Sequence, residues 1–136
     1  KVEGKRICWI DTQEMRESLT FSQRILERMK DCSACVCYND ELAHLLTTRA
    51  QAAGIRIPQD LSLVSVDNSE LARLNAVPLT SVAHPHDVLG VKAAENMLGL
   101  ITDPGGDATF EFEGEIESRR SVVPYNTTQK EKESKT

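Results

Sequence analysis

The chain has 136 residues, of which 40% are hydrophobic and 27% charged, with a formal net charge of -5. Such a composition belongs to a soluble globular protein, long enough for one domain with its own core or for one lobe of something larger. The negative balance excludes a grip on phosphate backbones as the task of this stretch, and no apolar run approaches the roughly 20 residues that a membrane helix needs.

KVEGKRICWI carries no long apolar stretch or small-residue cleavage site, so no export address is read here; because Lys1 opens the chain, the true start is expected to be missing. Within it RICWI, residues 6–10, is short, apolar and β-prone and predicts a strand. In DTQE, Asp11 or Thr12 caps a helix while Glu14 reaches back, and Leu19, Ile25, Leu26 and Met29 continue its apolar face. ACVCY, residues 34–38, is an apolar run of strand length. Asn39 and Asp40 after it are good caps for a helix with Leu42, Leu45, Leu46 and Ala50 on one side, which Gly54 ends.

IRIPQD turns the chain through Pro58, and LSLVSV, residues 61–66, reads as another buried strand. Asp67, Asn68 or Ser69 then starts a short helix ending near Leu74. LTSVAH is a short strand, and PHDVLGVKAAENMLGLI a helix with Val88, Leu89, Ala94, Met97, Leu98 and Ile101 as its apolar face. A DPGG turn stops it at residues 103–106, FEFEGEIESRRSV predicts one or two edge strands, and residues 126–136 are polar and predicted to be disordered. Successive strand-helix units favour an α/β fold with a parallel sheet, because parallel strands need a crossover helix to return the chain. Ligands of such sheets gather at the carboxyl ends of the strands, and two of those ends carry polar pairs, Asn39-Asp40 and Asp67-Asn68.

Cys32-x-x-Cys35 invites a metal or redox reading. Zinc wants four ligands where only one such pair exists, and His84 and His86 stand one residue apart, so both do not easily complete a tetrahedral set. A redox pair normally sits at a helix N-terminus, whereas these cysteines lead into a strand. Cys8, Cys32, Cys35 and Cys37 could form two bridges, but free cysteine is among the most buried residue types, so they are read as reduced, packed thiols with no metal or cofactor; a small α/β redox or metal protein using Cys32 and Cys35 is the alternative. Asp40 and Glu41 are explained as acids at a helix start. Asp67, at the end of a buried strand, suits a fixed acceptor for ligand hydroxyls. His84 precedes Pro85 and is biased to extended backbone. With no Gly-x-Ser-x-Gly elbow, phosphate loop or dinucleotide fingerprint, no nucleophile is nominated and no enzyme is expected.

ACVCYNDELA (residues 34–43), AAGIRIPQDLSLVSVDNSELARL (52–74), PLTSVAHPHDVLGVKAAENML (78–98) and ESRRSV (117–122) together resemble the carboxy-terminal part of the effector-binding domain of the lactose/galactose repressor family, itself similar to periplasmic sugar-binding proteins. CYND with LTSVAHP looks most like the arabinose-responsive repressors, which join that domain to a winged-helix DNA-binding module. The resemblance implies a parallel-sheet, Rossmann-like lobe of the type I periplasmic-binding-protein-like fold. Residues 1–123 would be a carboxy-terminal piece of the effector domain, residues 84–102 a helix normally belonging to the other lobe, and residues 124–136 a flexible tail. It also implies a sugar site lined by Asn39, Asp67 and His84, with L-arabinose or a related sugar as effector, and a cytoplasmic homodimer. Leu42, Leu45, Leu46, Leu71 and Leu74 would serve core and dimer interface, and DNA would be reached only through a module not present here. An exported sugar-binding lobe is the alternative within binding proteins. The family usually has Gly-Phe/Tyr-Asp where this chain has Ser65-Val66-Asp67, so the wall beside Asp67 differs. The helix after His84 is expected to show an uncovered apolar face, closed by dimerisation or swapping.

Overall fold

A computed structural model describes residues 10–124; the predicted strand at 6–10 (save Ile10), Cys8, Trp9 and the predicted tail beyond Pro124 lie outside the described residues. Asp11 caps α1 (Thr12–Glu17) by accepting the Glu14 N–H at 2.9 Å. The single helix expected here is in fact two. Ser18 takes an extended backbone, closes α1 through its N–H to Glu14 and opens α2 (Leu19–Met29) by accepting the Phe21 N–H at 3.1 Å. A serine oxygen satisfies a helix's orphan donor as well as intrahelical continuation would, so one residue serves both ends.

β1 (Ala34–Val36) leads to α3 (Asp40–Ala52), β2 (Ser62–Asp67) to α4 (Glu70–Leu74), and β3 (Thr80–Ala83) to α5 (His86–Thr102), before β4 (Glu115–Glu117). Gly54, at φ +79°, ends α3 in the left-handed conformation that glycine adopts without cost, with Ile55 N–H reaching back to Ala50 O at 2.9 Å.

The strands stand in the order β1-β2-β3-β4. β1 and β2 pair in parallel with Cys35 opposite Leu63, as do β2 and β3 with Ser65 opposite Ser81. β4 is antiparallel to β3, so the sheet is mixed and mostly parallel. Of the FEFEGEIESRRSV stretch only residues 115–117 form a strand; Gly114 before them lies so close to β3 that a Cβ would meet Val82 at 2.7 Å.

One core joins the helices to the sheet: Met15, Phe21, Ile25 and Leu26 from α1 and α2, Leu42 and Leu46 from α3, Leu63 from β2 and Leu79 before β3. Alternation along a strand sends the next residues to the other face. There Val36 is 74% exposed, Val64, Val66 and Val82 are half-buried, and Ile116 is exposed, so the buried strands expected from the apolar runs are covered on one face only within the described residues. α5 buries none of its residues; Val88, Val91, Met97, Leu98 and Ile101 are exposed and Leu89 is half-buried. Among the described residues no helix is long and apolar enough to cross a membrane.

Candidate functional site

Because β1, β2 and β3 run in parallel, their carboxyl ends open at one edge of the sheet. Register places Asp67 opposite Ala83, so the residue after Ala83 arrives beside Asp67: His84 Nε2 lies 3.8 Å from Asp67 Oδ1, both side chains 39% exposed. Asn39, at the end of β1, caps α3 by accepting the Leu42 N–H on Oδ1 at 2.9 Å, which leaves its carboxamide N–H groups for other acceptors. The structure thus joins Asp67 to His84, while Asn39 makes no direct hydrogen bond to either.

Asp67 and Asn68 have φ of 103° and 50°. Both are in the left-handed region that non-glycine residues rarely adopt and that clusters at ligand sites. Asn68 is held twice: its N–H donates to Ser81 Oγ at 3.0 Å, and its Oδ1 accepts from Arg119 Nη2 at 2.6 Å. Arg119 Nη1 also donates to Leu79 O at 2.8 Å, and its backbone N–H to Thr80 Oγ1 at 3.0 Å.

Beneath this edge lies a carboxylate whose role the sequence did not disclose. Asp40, read there as a helix-start acid, is 1% exposed. Its Oδ1 accepts from Ser65 Oγ at 2.5 Å and Ser81 Oγ at 2.7 Å, and its Oδ2 from the Ser69 N–H at 2.7 Å and Ser69 Oγ at 2.8 Å. Burial pushes the carboxyl pKa up, but the hydrogen bonds from Ser65, Ser81 and Ser69 outweigh it and hold the group below the usual aspartate range. Ser65 and Ser81, both 0% exposed, are the signal that was available: a hydroxyl inside an otherwise apolar strand needs a buried partner. Ser65 also stands where the resembling family usually has glycine, so that departure supplies one of the carboxylate's donors. Ser69, expected among the caps of α4, is its N-cap residue, but its hydroxyl is given to Asp40 instead.

The cysteines stand apart from this arrangement. Cys35 and Cys37 share a strand face with their sulfurs 4.0 Å apart, so the sulfur neighbour of Cys35 is Cys37. Cys32 lines a groove of about 420 Å³ with Leu26, Met29, Ile55 and Leu61, at the amino-terminal end of β2. Among the described residues no group of three or more His, Cys, Asp or Glu side chains is placed to hold a metal ion.

The five leucines expected at core and interface divide. Leu42 and Leu46, 6% and 1% exposed, lie in the core, where α3 packs on β2 and α2. Leu45 and Leu71 are half-buried and Leu74 is 74% exposed.

Chemically, the strand ends offer a carboxylate acceptor, an imidazole and a carboxamide on a rigid base, a set suited to holding a small polar molecule. The chain is 38% identical over 106 residues to the HTH-type transcriptional repressor PurR of Vibrio atlanticus, covering 77% of this chain and 32% of the repressor. It is 32% identical over 124 residues to the arabinose metabolism transcriptional repressor of Geobacillus stearothermophilus, covering 90% of this chain and 33% of that one. The chain therefore spans about a third of the length of these relatives, which are transcriptional repressors and not enzymes. Among solved structures, a LacI family transcriptional regulator from Enterococcus faecium with bound ribose superposes with a TM-score of 0.64 at 26% identity, over 86% of this chain and 42% of that one. Residues 5–122 match the periplasmic binding protein-like domain, and a match over that much of the sequence, on a mostly parallel α/β sheet, makes this chain a member of that family.

Proposed function

We propose that this chain is the effector-sensing and dimerisation portion of a sugar-responsive transcriptional repressor, and that its effector is L-arabinose or a related pentose. The observation that carries the reading is the Asp67 carboxylate, presented on a left-handed backbone at the end of β2 with His84 beside it. An ionised carboxylate accepts hydrogen bonds from two neighbouring hydroxyls in fixed geometry, which is the pattern a polyol offers. Likeness to an arabinose repressor over 90% of this chain supports the pentose, as does likeness to a regulator solved with ribose.

Operator contact would fall to a separate amino-terminal module, since this stretch carries a net charge of -5. Sugar would favour one arrangement of two lobes and so respace the DNA-binding modules of a cytoplasmic homodimer, with Leu45, Leu71 and Leu74 contributing to the subunit contact. The uncovered face of α5 would be the part that belongs to the second lobe.

A nitrogen heterocycle is the second reading. Asp67 and Asn39 could also pair with ring N–H and carbonyl groups, and Tyr38, 64% exposed next to Asn39, offers a stacking face. Calorimetric titration of the full-length protein with L-arabinose, D-ribose, other pentoses and hexoses, and purine bases separates the two. The sugar reading expects a pentose to bind and Asp67→Ala to abolish binding. Binding of a purine base alone transfers the site to the second reading, and no heat from any of them refutes both.

A further inference from the structure

Two consecutive non-glycine residues at positive φ persist only where their surroundings over-determine them. Here the surroundings are specific. The β2–β3 ladder runs up to Asp67 opposite Ala83, Ser81 accepts the Asn68 N–H, and Arg119 closes on the Asn68 carboxamide from the far end of the chain. Arg119 is half-buried and spends its planar fork on two acceptors, Leu79 O and Asn68 Oδ1, at 2.8 and 2.6 Å. A lysine has one ammonium and cannot reproduce that fork. The Asp67 carboxylate itself has only the 3.8 Å approach of His84 within the described residues, so its direction is set by the backbone that carries it.

We propose that Arg119 is a positioning residue for the ligand site: by gripping Asn68 it holds the left-handed Asp67–Asn68 pair and so aims the Asp67 carboxylate at the effector. This rests on the ligand-site reading above and adds to it. The residue that tunes effector affinity sits on the segment returning from α5, 51 positions along the chain from the Asn68 it holds. That segment is anchored under the site, since Ser121, two residues on, donates to Leu63 O at 2.5 Å and accepts the Thr80 N–H at 2.8 Å.

The test is calorimetric titration of the full-length protein with L-arabinose and D-ribose, comparing the parent, Arg119→Lys, Asp67→Asn and the double variant, with thermal unfolding of each. Arg119→Lys is expected to weaken sugar binding roughly tenfold, or about 1.4 kcal/mol. In the Asp67→Asn background the same exchange is expected to change affinity by less than about twofold, because Arg119 acts only through the placement of Asp67. An equal loss in both backgrounds would mark general destabilisation and overturn the proposal, as would parent-like affinity in Arg119→Lys. If that variant does not fold, Asn68→Ala removes the gripped carboxamide and leaves the other Arg119 bonds; it is expected to show the same loss, and parent-like binding by it overturns the proposal. Failure of the parent protein to bind either sugar removes the pentose reading and this inference with it, whereas a binding parent with an indifferent Arg119→Lys removes the inference alone.

Discussion

The Ser81 hydroxyl donates to the buried Asp40 carboxylate at 2.7 Å and so ties β3 to the first turn of α3. With Ser65 on β2 and Ser69 ahead of α4, it makes Asp40 the point where four elements meet. Asp40→Ala would leave those donors without their buried acceptor, at a cost of about 3 kcal/mol, measurable as a lower urea midpoint. The carboxyl is held below the ordinary aspartate range, so the unfolded chain takes up its proton first on acidification. The Asp40 contribution is therefore complete above the unfolded value of about 3.9 and is lost as pH falls through the lower folded value. Urea midpoints should fall more steeply below pH about 4 in the parent than in Asp40→Asn, and parallel curves would contradict this.

Asp67→Gly should separate stability from binding. Glycine adopts φ 103° without the strain an aspartate bears there, so unliganded stability is expected to rise by about 1 kcal/mol. Effector binding should be lost in the same variant. Thermal unfolding and calorimetry on one preparation check both, and a fall in stability would show that the left-handed backbone is not strained.

Leu46 and Leu74 lie on helices that contact each other but have opposite exposures, 1% and 74%. Leu46→Ala empties a packed core position and is expected to cost about 3 kcal/mol. Leu74→Ala should change stability of the monomeric chain by less than about 0.5 kcal/mol. If Leu74 belongs to a subunit contact, its replacement instead weakens dimerisation, read by sedimentation across a concentration series.

Cys35 and Cys37 should differ in reactivity although their sulfurs are 4.0 Å apart. The hydrogen bond from Cys37 lowers the Cys35 pKa, and giving that bond, together with burial, raises the Cys37 pKa. Brief iodoacetamide treatment of the folded protein at pH 8, followed by peptide sequencing in the mass spectrometer, is expected to find label on Cys35 well before Cys37. Equal labelling would mean that the strand end opens.

Much of the element order was legible because its signals act over a few residues. Asn39 caps α3, Gly54 ends it, and DPGG stops α5, each through groups within one turn of chain. The Ser18 break was written equally locally but hidden by an apolar face that continues across it, from Met15 to Phe21 and Ile25. The antiparallel β4 was less legible, because alternation in FEFEGEIE marks an extended chain without saying which strand it meets.

By itself the sequence determined an α/β chain whose polar residues fall at strand carboxyl ends, because periodicity and capping are local properties. The tertiary structure alone decided that Asp67 meets His84, that Arg119 grips Asn68, and that Asp40 is a buried hub rather than a helix-start acid. Those partners lie 17, 51 and 41 positions apart, and only strand register and the return of the chain after α5 bring such distant groups side by side.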